Sequence, residues 1–264
     1  MTSFPARIKC LTAMLLAVVL CPFVSCKKNT SFTVEGTVSN ATTLFIEELT
    51  PEGPLFLDSI AVNAKGHYDI KLEMPYPTFY YLHATENDFV VLRPEWGEKI
   101  VVDGDARNFQ GSYRVSGSPE SEFLWEFQVF TNQGIEEVMQ LGQLDQQNRE
   151  TYGAGTDAYN RAKAHTDTLF WNIYQAQRSY ADSAIYANMG TLATLIVLNK
   201  QFVNDPKLPL VHPIREFPIY EDVLNGLQSQ LPDNPHTQNF RNTVDRNRVV
   251  YERGGQIVDI NLNE

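Results

Sequence analysis

The chain has 264 residues, 43% of them hydrophobic and 20% charged. That is enough for one large or two small domains with a buried core, and it lies outside the range of disordered, collagen-like or multi-span membrane proteins. The formal net charge is −11, from 21 basic and 32 acidic residues, and no cluster of Lys and Arg is available to neutralise phosphates, so nucleic acid is not an expected partner.

Residues 1–25 read as a signal peptide. Arg7 and Lys9 form a basic start, and residues 11–25 are dominated by apolar side chains, a stretch shorter than the roughly 20 residues of a membrane-spanning helix. Phe23, Val24, Ser25 and Cys26, followed by Lys27, Lys28 and Asn29, resemble a bacterial lipobox, with small Ser25 before the cysteine and Phe23 where leucine is usual. That resemblance implies cleavage before Cys26, a diacylglycerol thioether on its sulfur, and a lipidated linker over residues 26–30. The partner it implies is a lipid bilayer, gripped by acyl chains at about 0.8 kcal/mol per buried methylene. Ordinary secretory cleavage nearby is the alternative. Lys27 and Lys28 differ from the acidic run that resembles a surface-export signal, which points to the periplasmic face of the outer membrane, with surface exposure as the other possibility. Cys10, Cys21 and Cys26 are the only cysteines, so the body after residue 26 is expected to hold no disulfide, CxxC pair or cysteine metal ligand.

From residue 31 to 116 the pattern is that of an antiparallel β-sandwich-like domain: short β-branched and aromatic runs broken by turn formers. Strands are expected at residues 32–38, 43–49, 55–62, 67–72, 79–84, 89–93, 99–102 and 112–115. Residues 63–66 and 103–107 carry Gly with Asn or Asp and are the expected hairpin turns.

The period changes at Ser118, an N-cap residue followed by Pro119, with Glu120 and Glu122 in the first turn. Residues 117–249 are therefore expected to form a helical domain, giving an α+β fold. Phe123, Phe127, Phe130, Val138 and Leu141 continue the first helix, with Gly134 as a weak point. Tyr159, Ala162, Thr166, Leu169, Ile173, Ala176 and Tyr180 repeat at the spacing of a heptad seam, so two long helices should pack as an antiparallel pair. Residues 192–198 suit a short buried helix. Pro206, Pro209, Pro213 and Pro218 impose an extended connection, and helices resume near residues 219–230 and 237–249. Residues 250–264 are assigned to a terminal strand.

Several of these signals together resemble a known family. Phe32, Val34, Gly36 and Val38, then Leu57, Asp58, Ser59 and Ile60, then Gly66, Tyr68 and Ile70 are matched. So are Gly117 and Ser118, and Gly190, Thr191, Leu192, Ala193 and Leu198. The resemblance spans nearly all of the chain after residue 25 and is to lipoproteins of Bacteroidota that carry domain of unknown function 4369, usually ahead of a thioredoxin-like module of the AhpC/TSA or TlpA type. Residues 255–262 look like the lead-in to that module, yet the sequence ends at Glu264 without it or its cysteines. The expectation is a noncatalytic cell-envelope binding or interaction module, not an enzyme, with no cofactor. The alternative is the N-terminal part of a thiol-disulfide oxidoreductase whose catalytic half is missing or on a separate thioredoxin-like chain.

Residue-level chemistry is sparse. His67, His83, His165, His212 and His236 show no helical metal-site spacing, so no metal site is expected, with His165 on a helix flank and His67 in a turn. No GxSxG, GxGxxG or P-loop occurs. The acidic pairs Glu47 and Glu48, and Glu136 and Glu137, read better as solvated neighbours than as glycosidase acids. Tyr76, Phe79, Tyr80, Tyr81 and Trp96 form the densest aromatic group and are weighed mainly as core. Arg93, Glu95 and Trp96, with Tyr80, form the candidate contact site for a protein partner or ligand. The triplets at 58–60, 167–169 and 182–184 resemble a short O-glycosylation sequon. If Cys26 anchors the chain, Cys26→Ser should move it from the membrane to the soluble fraction on cell fractionation; unchanged retention would remove the lipid-anchor reading.

Overall fold

The computed structural model describes residues 30–254. The expected signal peptide, Cys26 and the expected strand beyond residue 254 lie outside the described residues. Eight strands form two four-stranded sheets, ordered β4-β1-β7-β8 and β3-β2-β5-β6. They are β1 (Ser31–Ser39), β2 (Thr43–Thr50), β3 (Gly53–Ala61), β4 (His67–Glu73), β5 (Phe79–Thr85), β6 (Asp88–Leu92), β7 (Lys99–Asp105) and β8 (Arg114–Ser116), with a one-turn helix α1 (Phe109–Ser112) before the last. Alternation puts Phe32, Val34 and Val38 of the first sheet against Leu44, Ile46, Tyr80, Leu82 and Val90 of the second in one buried cluster, the two-sheet sandwich expected of such patterning.

Topology departs from the expectation in three places. β1 pairs with β7 in parallel, although its other neighbour β4 is antiparallel. The turn at residues 63–66 joins β3 in one sheet to β4 in the other, so it is an arch between layers and not a hairpin. Consecutive strands pair antiparallel at β2 to β3, β5 to β6 and, around α1, β7 to β8. At residues 103–107 the strand runs on through Asp105, and Ser112 belongs to α1. Gly36 sits where a side chain would collide with the Val102 carbonyl, at 2.0 Å from an ideal Cβ. Its positive φ of 156° therefore serves the close approach of β1 to β7.

The helices are α2 (Pro119–Tyr152), α3 (Asp157–Ala187), α4 (Thr194–Leu198), α5 (Phe217–Gln230) and α6 (Pro235–Glu252), with a single 3₁₀ turn at Phe202–Asn204. α2 and α3 pack as the expected antiparallel pair. Gly134 is a contact point and not a defect: a Cβ there would lie 2.3 Å from Gln177 Nε2, and that amide donates to the Phe130 carbonyl (3.1 Å). The heptad seam drifts after Ile173, where Tyr174 and Gln177 are buried and Ala176 is exposed, as a straight helix drifts from a strict seven-residue repeat. α6 continues through residues 250–252, which are helix and not the start of a strand. Among the described residues, no helix is long and apolar enough to cross a membrane.

β5 is the seam between the two halves. Tyr80 enters the sandwich core, whereas Phe79, one residue earlier and on the opposite face, joins the helical core with Leu124, Phe127 and Phe240. At the start of β5, Thr78 Oγ1 lies 2.8 Å from His236 Nε2, Asn234 Nδ2 donates to the Pro77 carbonyl (2.7 Å), and the His236 ring meets Phe79 edge-on at 5.3 Å.

Burial, aided by the Arg93 guanidinium, lowers the His236 pKa from 6.5 to about 4, so the ring is neutral in the folded chain at neutral pH. The unfolded chain takes up a proton as pH falls through 6.5 and the folded chain does not until about 4. This contact is therefore fully stabilising above about pH 6.5 and is lost between 6.5 and 4, by up to about 3 kcal/mol. Denaturant melts across that window should show the loss, and His236→Gln should flatten it; an unchanged slope in the variant would assign the acid sensitivity elsewhere.

Candidate functional site

The loop expected to make contacts is a clasp. Arg93 and Tyr80 are each 1% exposed, so neither presents a surface to a partner, which corrects that part of the expectation. The guanidinium donates to Glu95 Oε1 (2.7 Å) and forms an ion pair with Glu120 Oε1 at 3.0 Å. The other Glu120 oxygen accepts from the Ala193 amide (3.1 Å). The Arg93 backbone N–H donates to Ser121 Oγ, the Ser121 hydroxyl to Ser118 Oγ, and the Ser118 hydroxyl back to the Arg93 carbonyl, at 2.9, 3.0 and 3.1 Å. Ser118 holds the N-cap position of α2 but spends its hydroxyl on β6 instead of on the helix. Trp96 is half-buried and donates from Nε1 to the Met74 carbonyl (2.7 Å), so only Glu95 and the indole edge retain exposure.

The other sequence candidates do not converge. Glu48 accepts from the Tyr76 hydroxyl (3.0 Å) while Glu47 faces His83 at 3.6 Å, and Glu136 and Glu137 are exposed. His165 is exposed on α3, and His67 Nδ1 lies 3.0 Å from Thr37 Oγ1. Ser59 is exposed on edge strand β3, whereas Thr168 and Ser183 hydroxyls are returned to helix carbonyls at 2.8 and 2.9 Å. Among the described residues, no group of three or more His, Cys, Asp or Glu is placed to hold a metal.

A different place has the features of a site. Where the helices leave part of the outer face of the β3-β2-β5-β6 sheet uncovered, a cleft of about 520 Å³ opens between that sheet, α2 and the segment after α4. The size falls within the range of about 300–1,000 Å³ typical of small-molecule sites. Its floor is apolar, with Leu124 and Phe127 buried and Val91 and Ile196 half-buried. Tyr81 of β5 and Phe89 of β6, diagonal neighbours across the pair with ring centroids 4.5 Å apart, form an aromatic wall. Exposed Asn87, Gln201 and Asn204 make a rim of carboxamides.

Lys200 is the one charged residue of the cleft lining. It makes no ion pair or side-chain hydrogen bond among the described residues, and burial pushes its ammonium pKa below the usual lysine value. Asp88, the first residue of β6, already accepts from the Phe109 and Gln110 amides, both at 2.6 Å. The cleft therefore carries one positive charge and no acid.

The backbone beside Lys200 is strained. Val203 has φ 47° and ψ 27°, and Asn204 has φ 57°. The left-handed region costs roughly 1–2 kcal/mol per residue and is rare for a β-branched side chain. The neighbours enforce it: the Phe202 amide donates to the Leu208 carbonyl (2.8 Å) and the Leu210 amide to the Lys200 carbonyl (3.0 Å). The buried Phe202 ring stacks on Tyr174 at 5.4 Å. Strain of this kind gathers at functional sites.

Compared with known proteins, the chain matches no family model and no curated sequence. The cleft thus rests on its own chemistry. Sequence reading overlooked it because its walls come from β5, β6, α2 and the segment after α4; the one local signal was the amide-rich run Asn199, Lys200, Gln201 directly behind an apolar helix. A partly desolvated ammonium without a counter-charge is a cost to folding. Lys200→Met should therefore raise stability by about 1 kcal/mol in urea titrations; a loss of that size would mean the ammonium has a stabilising partner.

Proposed function

We propose that this chain is a noncatalytic binding module of the cell envelope, held to a membrane by acylated Cys26, and that its ligand occupies the cleft around Lys200. The observation that carries the binding site is unspent hydrogen-bonding capacity. The side chains of Asn87, Gln110, Gln201 and Asn204 and the hydroxyls of Tyr81 and Tyr113 line the cleft and make no hydrogen bonds among the described residues, over a floor of buried apolar side chains. Such groups orient a ligand that the floor desolvates. The lining holds no carboxylate, thiol or imidazole, which are the side chains most used for acid-base or nucleophilic work, and this favours retention of a molecule over its conversion. The lipobox-like residues 23–26 support the anchor, and the resemblance to envelope lipoproteins supports the address.

Gln201 is exposed at the rim, so Gln201→Trp should block the cleft without disturbing the core. Immobilised wild-type chain is expected to retain small molecules from an envelope extract, identified by mass spectrometry, that the Gln201→Trp chain releases. Equal retention by both would rule out the cleft as the binding site.

A further inference from the structure

The balance of charge and polarity in the cleft narrows the ligand class. Three observations act together. First, one ammonium and no acid line the cavity, in a chain whose net charge is −11. That arrangement suits a single negative charge. Polyphosphates are held by several cations, by arginine forks or by a glycine-rich backbone cradle, and Lys200 stands without another basic residue in the lining.

Second, the uncharged polar lining is made chiefly of carboxamides and phenols. Each carboxamide both donates and accepts, as does each ligand hydroxyl, so a ring of such groups matches a molecule that bears several hydroxyls. A fatty or simple aryl acid would satisfy Lys200 but engage none of the carboxamides of Asn87, Gln110, Gln201 and Asn204, which a hydroxyl-bearing ligand can meet directly. Third, the Tyr81 and Phe89 rings offer an apolar wall on which the C–H face of a flat polar ring can lie.

Resting on the cleft as the binding site, we infer that its ligand is an acidic saccharide, a sugar ring whose carboxylate pairs with Lys200 while its hydroxyls meet the carboxamide rim. The desolvation that lowers the Lys200 pKa also strengthens its attraction for a carboxylate, because the pair forms away from bulk water. The strained turn at Val203 and Asn204 fixes the rim close to that ammonium.

Calorimetric titration of the full-length chain in detergent tests the inference. The probes are galacturonic acid and its uncharged methyl ester, with sialyllactose and lactose as a second pair to separate uronic from sialic sources. Wild-type chain is expected to bind at least one acid at least tenfold more tightly than its neutral partner. Lys200→Met should reduce that preference to less than twofold with neutral binding retained, and Tyr81→Ala should weaken both. Equal binding of acid and neutral partner, or a preference that survives in Lys200→Met, would overturn the carboxylate assignment. Absence of binding by all four probes would overturn the saccharide assignment, whereas the cleft as a binding site is judged separately by the retention comparison with Gln201→Trp.

Discussion

The guanidinium of Arg93, removed from water at the end of β6, fixes how the sandwich and the helices meet. Its charge is met by Glu120 in the first turn of α2, and the second Glu120 oxygen holds the Ala193 amide ahead of α4. Burial pushes the Glu120 carboxyl up, while Arg93 and the Ala193 amide draw it back down. Removing one partner of such a pair typically costs about 3–5 kcal/mol, because it strands the other charge, whereas replacing both by apolar groups is often neutral. The pair therefore works mainly as a positioning device. Val91 precedes Arg93 by two residues, Leu124 and Phe127 lie one and two turns beyond Glu120, and Ile196 follows Ala193 by less than a turn. Three walls of the cleft are thereby set from one point.

The cleft differs from the better-answered parts of the molecule. Several partly buried cations meet acids, Arg178 with Glu216 and Arg248 with Glu221 and Asp245. Among the described residues, Lys200 combines partial burial, lack of a counter-charge and a left-handed valine three residues on. Each of these lowers stability, and sequences retain such costs chiefly where a site needs them. The same reasoning separates Lys200 from Arg93, which is more deeply buried but has two carboxylates beside its charge.

What could be read in advance was what depends on neighbours in sequence. Alternation placed all eight strands, and the change of period at Ser118 placed the start of α2. Proline spacing marked the irregular stretch before α5. Pairing was less legible, because β-branched runs do not state their partners: the turn at 63–66 has the composition of a hairpin, but Ile60 is committed to one sheet and Tyr68 to the other. Gly134 looked like a flaw because its purpose is a side chain on another helix, Gln177. Arg93 and Trp96 looked exposed because a charged, glycine-containing loop usually is, and nothing local reveals that Glu120 and the Met74 carbonyl are waiting for them.

The parallel pairing of β1 with β7 also governs the order of assembly. β1 has no partner nearby in the chain: its neighbours begin at His67 and Lys99, so closing the first sheet requires long loops to be drawn together before any ladder bonds compensate. The second sheet contains two local hairpins, β2 with β3 and β5 with β6, which form on the microsecond scale. A chain emerging from its N-terminus thus exposes Phe32, Val34 and Val38 on an unpaired strand until β7 has followed. That delay makes β1 the segment that most needs protection from aggregation while the chain folds.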